Sequence, residues 1–309
     1  MSYLCSEKWY KIVLQKIKTW MLPLAMLTGA FFYDFFQHLS FLTPYLIFSM
    51  LFITYCKLSF RDLKFSSLHL WLLLVQVAGC VVIYGILRWF DPVVAEGCLI
   101  CVLAPTATAA AVITGMLGGS VACLAAYTLI SSLAVAVFSP VIFSLLGEHA
   151  ELAFGDSVFY ICKQVMPLLV FPCVSALLLE KVVPAVHCQF KRLQILSFYL
   201  WALGLTIVTG KTVYFIVHQE NADIGQEWWM AILALGICVC QFGLGRYIGQ
   251  RYGDAVSGGQ GLGQKNTILA IWMAQTYLNP LSSIAPASYV LWQNIINSYQ
   301  LWKKKENKS

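Results

Sequence analysis

Charge is what this chain has least of. Asp, Glu, Lys and Arg make up 11% of its 309 residues against 60% hydrophobic residues, and one soluble domain of that length cannot hide so much apolar surface. Histidine is sparse as well. His38, His69, His149, His187 and His218 fall in loops or near the ends of apolar runs, so no constellation of His with Asp, Glu, Cys or Ser offers catalytic spacing, and an enzyme is not expected. Linkers rich in Pro, Gly or Ser are missing, which argues against a division into separate domains. Cysteine is not scarce, yet the close pairs Cys98/Cys101 and Cys238/Cys240 lack the His or carboxylate partners of a metal centre. They read as small packing residues, and no cofactor is expected.

Long apolar runs take the place of charge. Crossing the ~30 Å hydrocarbon layer takes about 20 helical residues, and runs near that length occur at about 20–36, 42–59, 67–89, 93–117, 120–146, 157–180, 195–217, 227–248, 261–278 and 281–301. The expectation is an all-α integral membrane protein of ten transmembrane helices in contact with a lipid bilayer. Two runs stand apart, 93–117 and 261–278, because Gly, Pro and polar residues interrupt them.

The few charges are sorted by side. Lys8, Lys11, Lys16 and Lys18 precede the first run, Lys57, Arg61 and Lys64 follow the second, Lys181, Lys191 and Arg192 the sixth, Arg246 and Arg251 the eighth, and Lys303, Lys304, Lys305 and Lys308 the tenth. The alternate loops hold Asp91 and Glu96, then Glu148, Glu151 and Asp156, then Glu220, Asp223 and Glu227. Cytoplasmic loops accumulate Lys and Arg, so both termini are expected in the cytoplasm of a cell (inner) plasma membrane protein. The net charge of +6 is thus a topology signal, and no nucleic-acid partner is expected. Residues 1–19 read as an interfacial helix, with Trp9, Ile12, Val13 and Ile17 on one face and lysines on the other. A single transmembrane domain follows over 20–302, then a basic tail over 303–309.

Internal symmetry is suggested by "WMLPLAML" and "QVMPLLVF", which place Pro23 and Pro167 near the starts of the first and sixth runs, and by the interrupted runs being the fourth and ninth. Two five-helix halves, about 20–147 and 157–302, would be inverted relative to each other. Secondary transporters share that layout, with binding sites where helices are broken.

Three stretches carry a family resemblance: "APTATAAAVITGML" at 104–117, "GLGQKNTILA" at 261–270 and "VLWQNIINS" at 290–298. In that order and at those helix numbers, the chain resembles the bile acid:sodium symporter superfamily over about residues 20–302. The resemblance implies helices four and nine crossing at their breaks in a core domain, beside a panel domain, and uptake of organic anions with two sodium ions. It also implies departures. The Ser-Asn pair of the first sodium site falls on Ala110 and Ala111, one fifth-helix hydroxyl becomes Leu124 while Thr128 keeps the other, and the carboxylate position falls on Gly261. Gln76 matches a third-helix ligand of the second site, whereas the ninth-helix glutamine is Lys265.

An ammonium on four methylenes can fill a sodium-sized pocket and donate three hydrogen bonds. Lys265 therefore reads as a tethered substitute for the ion, the alternative being a lysine that snorkels to the interface, as expected of Lys163 and Lys211. The expected site comprises Lys265, Gln264, Asn266, Gln76, Thr108, Thr128, Gln293 and Asn294. Gln241, Gln293 and Asn294 are polar positions inside apolar runs that could equally serve as interhelical hydrogen-bond partners. The functional expectation is a secondary active transporter of bile-acid-like molecules, keto acids or other carboxylates, proton-linked or uncoupled, with protons as the further partner. A non-transporting receptor or structural homologue and a conventional sodium symporter are the alternatives.

Overall fold

The computed structural model describes residues 21, 23–57, 63, 65–107, 109–146, 154–218 and 224–306. The expected interfacial helix at 1–19 lies outside them. In chain order the helices are α1 (residues 23–31), α2 (Tyr33–His38), α3 (Thr43–Lys57), α4 (Ser67–Leu87), α5 (Pro92–Leu103), α6 (Ala110–Leu117), α7 (Val121–Leu146), α8 (Phe154–Val182), α9 (Pro184–Arg192), α10 (Gln194–His218), α11 (Ile224–Arg251), α12 (Ala255–Gly263), α13 (Thr267–Tyr277) and α14 (Ile284–Glu306). Among the described residues six segments are long and apolar enough to cross a membrane: Ser40–Lys57, Ser67–Leu87, Val121–Leu146, Phe154–Val182, Leu196–His218 and Gly225–Arg251.

Local chemistry sets the ends of the short helices. Asp91 accepts from the backbone N–H groups of Val93 and Val94, and Pro92 stands at a position where no N–H is needed. Gly118, at φ +84°, takes the left-handed conformation that closes α6. Gly253, at φ +75°, does the same between α11 and α12. In that hairpin the two backbones touch: a side chain at Gly245 or Gly258 would collide with the main chain of the other helix.

Two sets of helices emerge from the packing. α3 lies against α8, α9 and α10, and α10 against α2; α11 lies against α5, α12 and α14, and α4 against α5. α7 joins α8 across the sets, as α10 joins α13. The interrupted segments are the inside of the second set. In α5 every residue from Val94 to Leu103 is buried, and α12 and α13 are buried from Ser257 to Ala274. Apolar residues of α4 such as Leu70, Trp71, Leu74 and Val82 are exposed instead, a surface suited to lipid.

Several residues assigned to loops belong to helices. Glu96 sits in the second turn of α5, where it is buried and its Oε2 accepts from the Asn279 backbone N–H. Arg246 and Arg251 lie on α11, Glu227 in its first turn, and Lys181 on α8. The basic stretch after α8 is itself helical as α9, started by Pro184. The tail lysines Lys303 and Lys304 extend α14, and Lys304 Nζ donates to the Met116 carbonyl near the end of α6. Lys181, Arg251, Lys303 and Lys304 lie beyond the apolar runs, where the backbone continues helical through amphipathic or charged turns.

Candidate functional site

Pro105 interrupts the fourth run, and the backbone leaves the helix at Ala104. Gln264 to Asn266 interrupt the ninth run, with Gln264 extended and Asn266 outside the helical conformation. The two interruptions lie against each other as an antiparallel bridge between Thr106 and Lys265. Ala107 N–H donates to the Gln264 carbonyl at 2.8 Å, and Asn266 N–H donates to the Pro105 carbonyl at 2.8 Å. Backbone that a break strips of helical partners must find others in a membrane interior, and here each break supplies them to the other.

The last carbonyls of α5 can be accounted for one by one. Ile100 O accepts from Ala104 N–H. Cys101 O accepts from Gln241 Nε2 at 3.3 Å, Val102 O from Lys265 Nζ at 2.8 Å, and Leu103 O and Ala104 O from Gln76 Nε2 at 2.7 and 3.2 Å. Helix ends leave such carbonyls open and carry partial negative charge, so an ammonium is favourably placed there. Lys265 is 1% exposed. It does not snorkel.

Hydroxyl groups close the end of α12. Thr106 Oγ1 donates to Gly261 O at 2.7 Å and Tyr289 Oη to Gly263 O at 2.8 Å. Thr106 N–H in turn donates to Ser131 Oγ on α7. Asn266 caps α13, its Oδ1 accepting from Leu269 N–H, and Gln293 Oε1 accepts from Lys265 N–H at 2.8 Å.

Gln76, Lys265, Asn266 and Gln293 are thus brought to the crossing. Gln264 is buried beside it with Oε1 unpartnered. Thr128 and Asn294 turn to their own helices, donating to Leu124 O and Val290 O, and Thr108 lies outside the described residues. Four contributors went unnamed in the sequence reading: Tyr127, which donates to Gln76 Oε1 at 2.8 Å, Tyr289, Thr106 and Ser131. Tyrosines and serines in apolar runs resemble ordinary packing residues, and only the need to satisfy open carbonyls singles them out.

The positions where the resemblance places sodium ligands hold Ala110, Ala111, Leu124 and Gly261. Ala110 and Leu124 are buried, and a Cβ added at Gly261 would meet Tyr127 Cδ1 at 2.9 Å and Leu72 Cδ1 at 3.3 Å, so no larger side chain enters there without moving Tyr127. Among the described residues no group of His, Cys, Asp and Glu could hold a metal ion.

A family model described as the Sodium Bile acid symporter family matches residues 44–219, more than half of the chain. The matched stretch contains the first break, and the second lies beyond it. No curated protein matches the chain.

Proposed function

Because the chain belongs to the sodium bile acid symporter family, whose members are transporters, we propose that it is a secondary active carrier of organic anions that sodium does not drive. In this reading ten membrane segments form two inverted five-helix repeats, about 20–147 and 157–302. Both termini are cytoplasmic, and a bile-acid-like molecule, a keto acid or another carboxylate is handled near the crossing of α5/α6 with α12/α13.

The observation that carries the reading is the Lys265 ammonium, buried within the protein and bonded to the open Val102 carbonyl. Sodium binding needs several hard oxygens together, and the side chains of Ala110, Ala111, Leu124 and Gly261 offer none. A fixed cation at the crossing serves in place of a diffusible one. Among the described residues no carboxylate forms a hydrogen bond with that ammonium, so its charge is available to a substrate anion or to a proton released and regained during the cycle. The carrier is accordingly proton-linked or uncoupled.

Counterflow in proteoliposomes, with radiolabelled carboxylates and sulfonated steroids, tests this. Uptake of one class, unchanged when potassium or choline replaces sodium, is the expected result. A steep, saturable sodium dependence would overturn it, and absence of both uptake and anion-induced thermal stabilisation would favour a non-transporting homologue.

A further inference from the structure

The side-chain hydrogen bonds that cross between the two helix sets gather at the end of the molecule that carries the acidic loops. Gln275, near the end of α13, donates through Nε2 to Thr212 Oγ1 at 3.0 Å and to Val208 O at 3.2 Å on α10. Thr212 Oγ1 lies 3.2 Å from Ser283 Oγ, in the turn after α13. Tyr277 Oη donates to Gln164 Oε1 on α8 at 2.9 Å. Gln275, Thr212 and Ser283 are buried, so the bonds among them and to Val208 O are shielded from water and screened little, while the Tyr277–Gln164 bond is part-buried. Above them a depression lined by Phe215, His218, Asn279, Pro280 and Leu281 opens on the same seam between α10 and the turn.

Three features make this arrangement more than packing. It joins α13, the second half of a broken helix whose first residues carry the Lys265 crossing, to helices of the other set. The bonds are side chain to side chain or side chain to carbonyl, so separating the sets breaks them without unravelling any helix. Thr209, one turn deeper on α10, is buried with a hydroxyl that has no partner, as expected of a position along a seam that closes without sealing every polar group.

We propose that Gln275, Thr212, Ser283, Tyr277 and Gln164 form a latch that shuts the path from the acid-loop side to the Lys265 crossing, and that the structure is the latched conformation. The depression is then the closed mouth of that path. The latch rests on the carrier reading for its purpose, but its test does not need a transported substrate.

Two measurements on the full-length protein in oriented membrane vesicles decide it. The reporter is Thr209→Cys in a background with the exposed Cys188 and Cys240 changed to Ser, labelled by an impermeant maleimide applied to the acid-loop face. Labelling is expected to be slow in the latched parent and several-fold faster when Gln275→Leu or the shorter Gln275→Asn removes the central donor. The second variant guards against loss of folding in the first. Thr212→Cys with Ser283→Cys replaces two oxygens 3.2 Å apart by thiols suited to a disulfide; oxidation should suppress reporter labelling, and reduction should restore it. Equal labelling rates in parent, Gln275 variants and cross-linked protein would overturn the latch. If the latch behaves as stated while no anion is carried in any assay, the carrier reading fails and the latch stands.

Discussion

At the first break the open carbonyls of α5 are met by side chains reaching in from three other segments, Gln76, Gln241 and Lys265, the last bringing a full positive charge. At the second, the carbonyls of α12 are met by neutral hydroxyls, Thr106 and Tyr289. The starts of the outgoing halves differ too. Asn266 caps α13 with its own side chain, whereas Ala109, at the start of α6, makes no side-chain cap. The second break is thus closed by neutral hydroxyls, Thr106 of the first break among them, and the first by two amides and the Lys265 ammonium. Among the described residues Lys265 brings the only charged side chain to these bonds.

This asymmetry can be attacked in order of expected effect. Lys265→Met keeps the side-chain volume but removes the charge, and uptake should be lost outright. Stability should change far less, because relief from burying an ammonium offsets the orphaned Val102 carbonyl; transport assays beside thermal unfolding separate the two effects. Gln76→Leu orphans Leu103 O, Ala104 O and the Tyr127 hydroxyl at once. At about 1–3 kcal/mol for each buried group left unpaired, the melting temperature should fall by roughly 5–10 °C. Tyr289→Phe removes the donor to Gly263 O and an acceptor for Gln241 Nε2, with an expected loss of about 1–2 kcal/mol and a shift of a few degrees. Thr128→Val and Asn294→Ala touch bonds made within one helix and should stay within about 0.5 kcal/mol of the parent. If Tyr289→Phe proves costlier than Gln76→Leu, the first break is not the more demanding of the two and the comparison is broken.

How far the sequence speaks differs between fold and site. Long apolar runs such as 67–89 and 120–146 correspond to α4 and α7 within a few residues, because a lipid-facing helix must be apolar along its whole length. The interruptions at Pro105 and around Lys265 were legible because Pro and consecutive polar residues are costly inside a membrane unless they serve a break. α9 was not, since an amphipathic segment has the composition of a loop, and neither was the burial of Glu96, whose charge reads as that of a loop residue although it lies within the run 93–117. At the site, Gln76 and Lys265 announce themselves as polar residues amid apolar ones. Tyr127 and Tyr289 do not, as their rings pack like any aromatic and only the direction of the hydroxyl, set by tertiary structure, gives them a role. Steric exclusion at Gly261 by the Tyr127 ring was equally invisible, because it depends on how α4, α7 and α12 meet.

The most direct test of Lys265 as a built-in substitute for sodium is a sodium titration of the purified protein followed by thermal unfolding, at constant ionic strength with choline as the replacing cation. The account predicts a melting temperature that does not respond to sodium, since the ammonium already holds the crossing. A saturable rise in melting temperature with sodium, absent with choline, would mean that an ion site persists beside Lys265 and would contradict it.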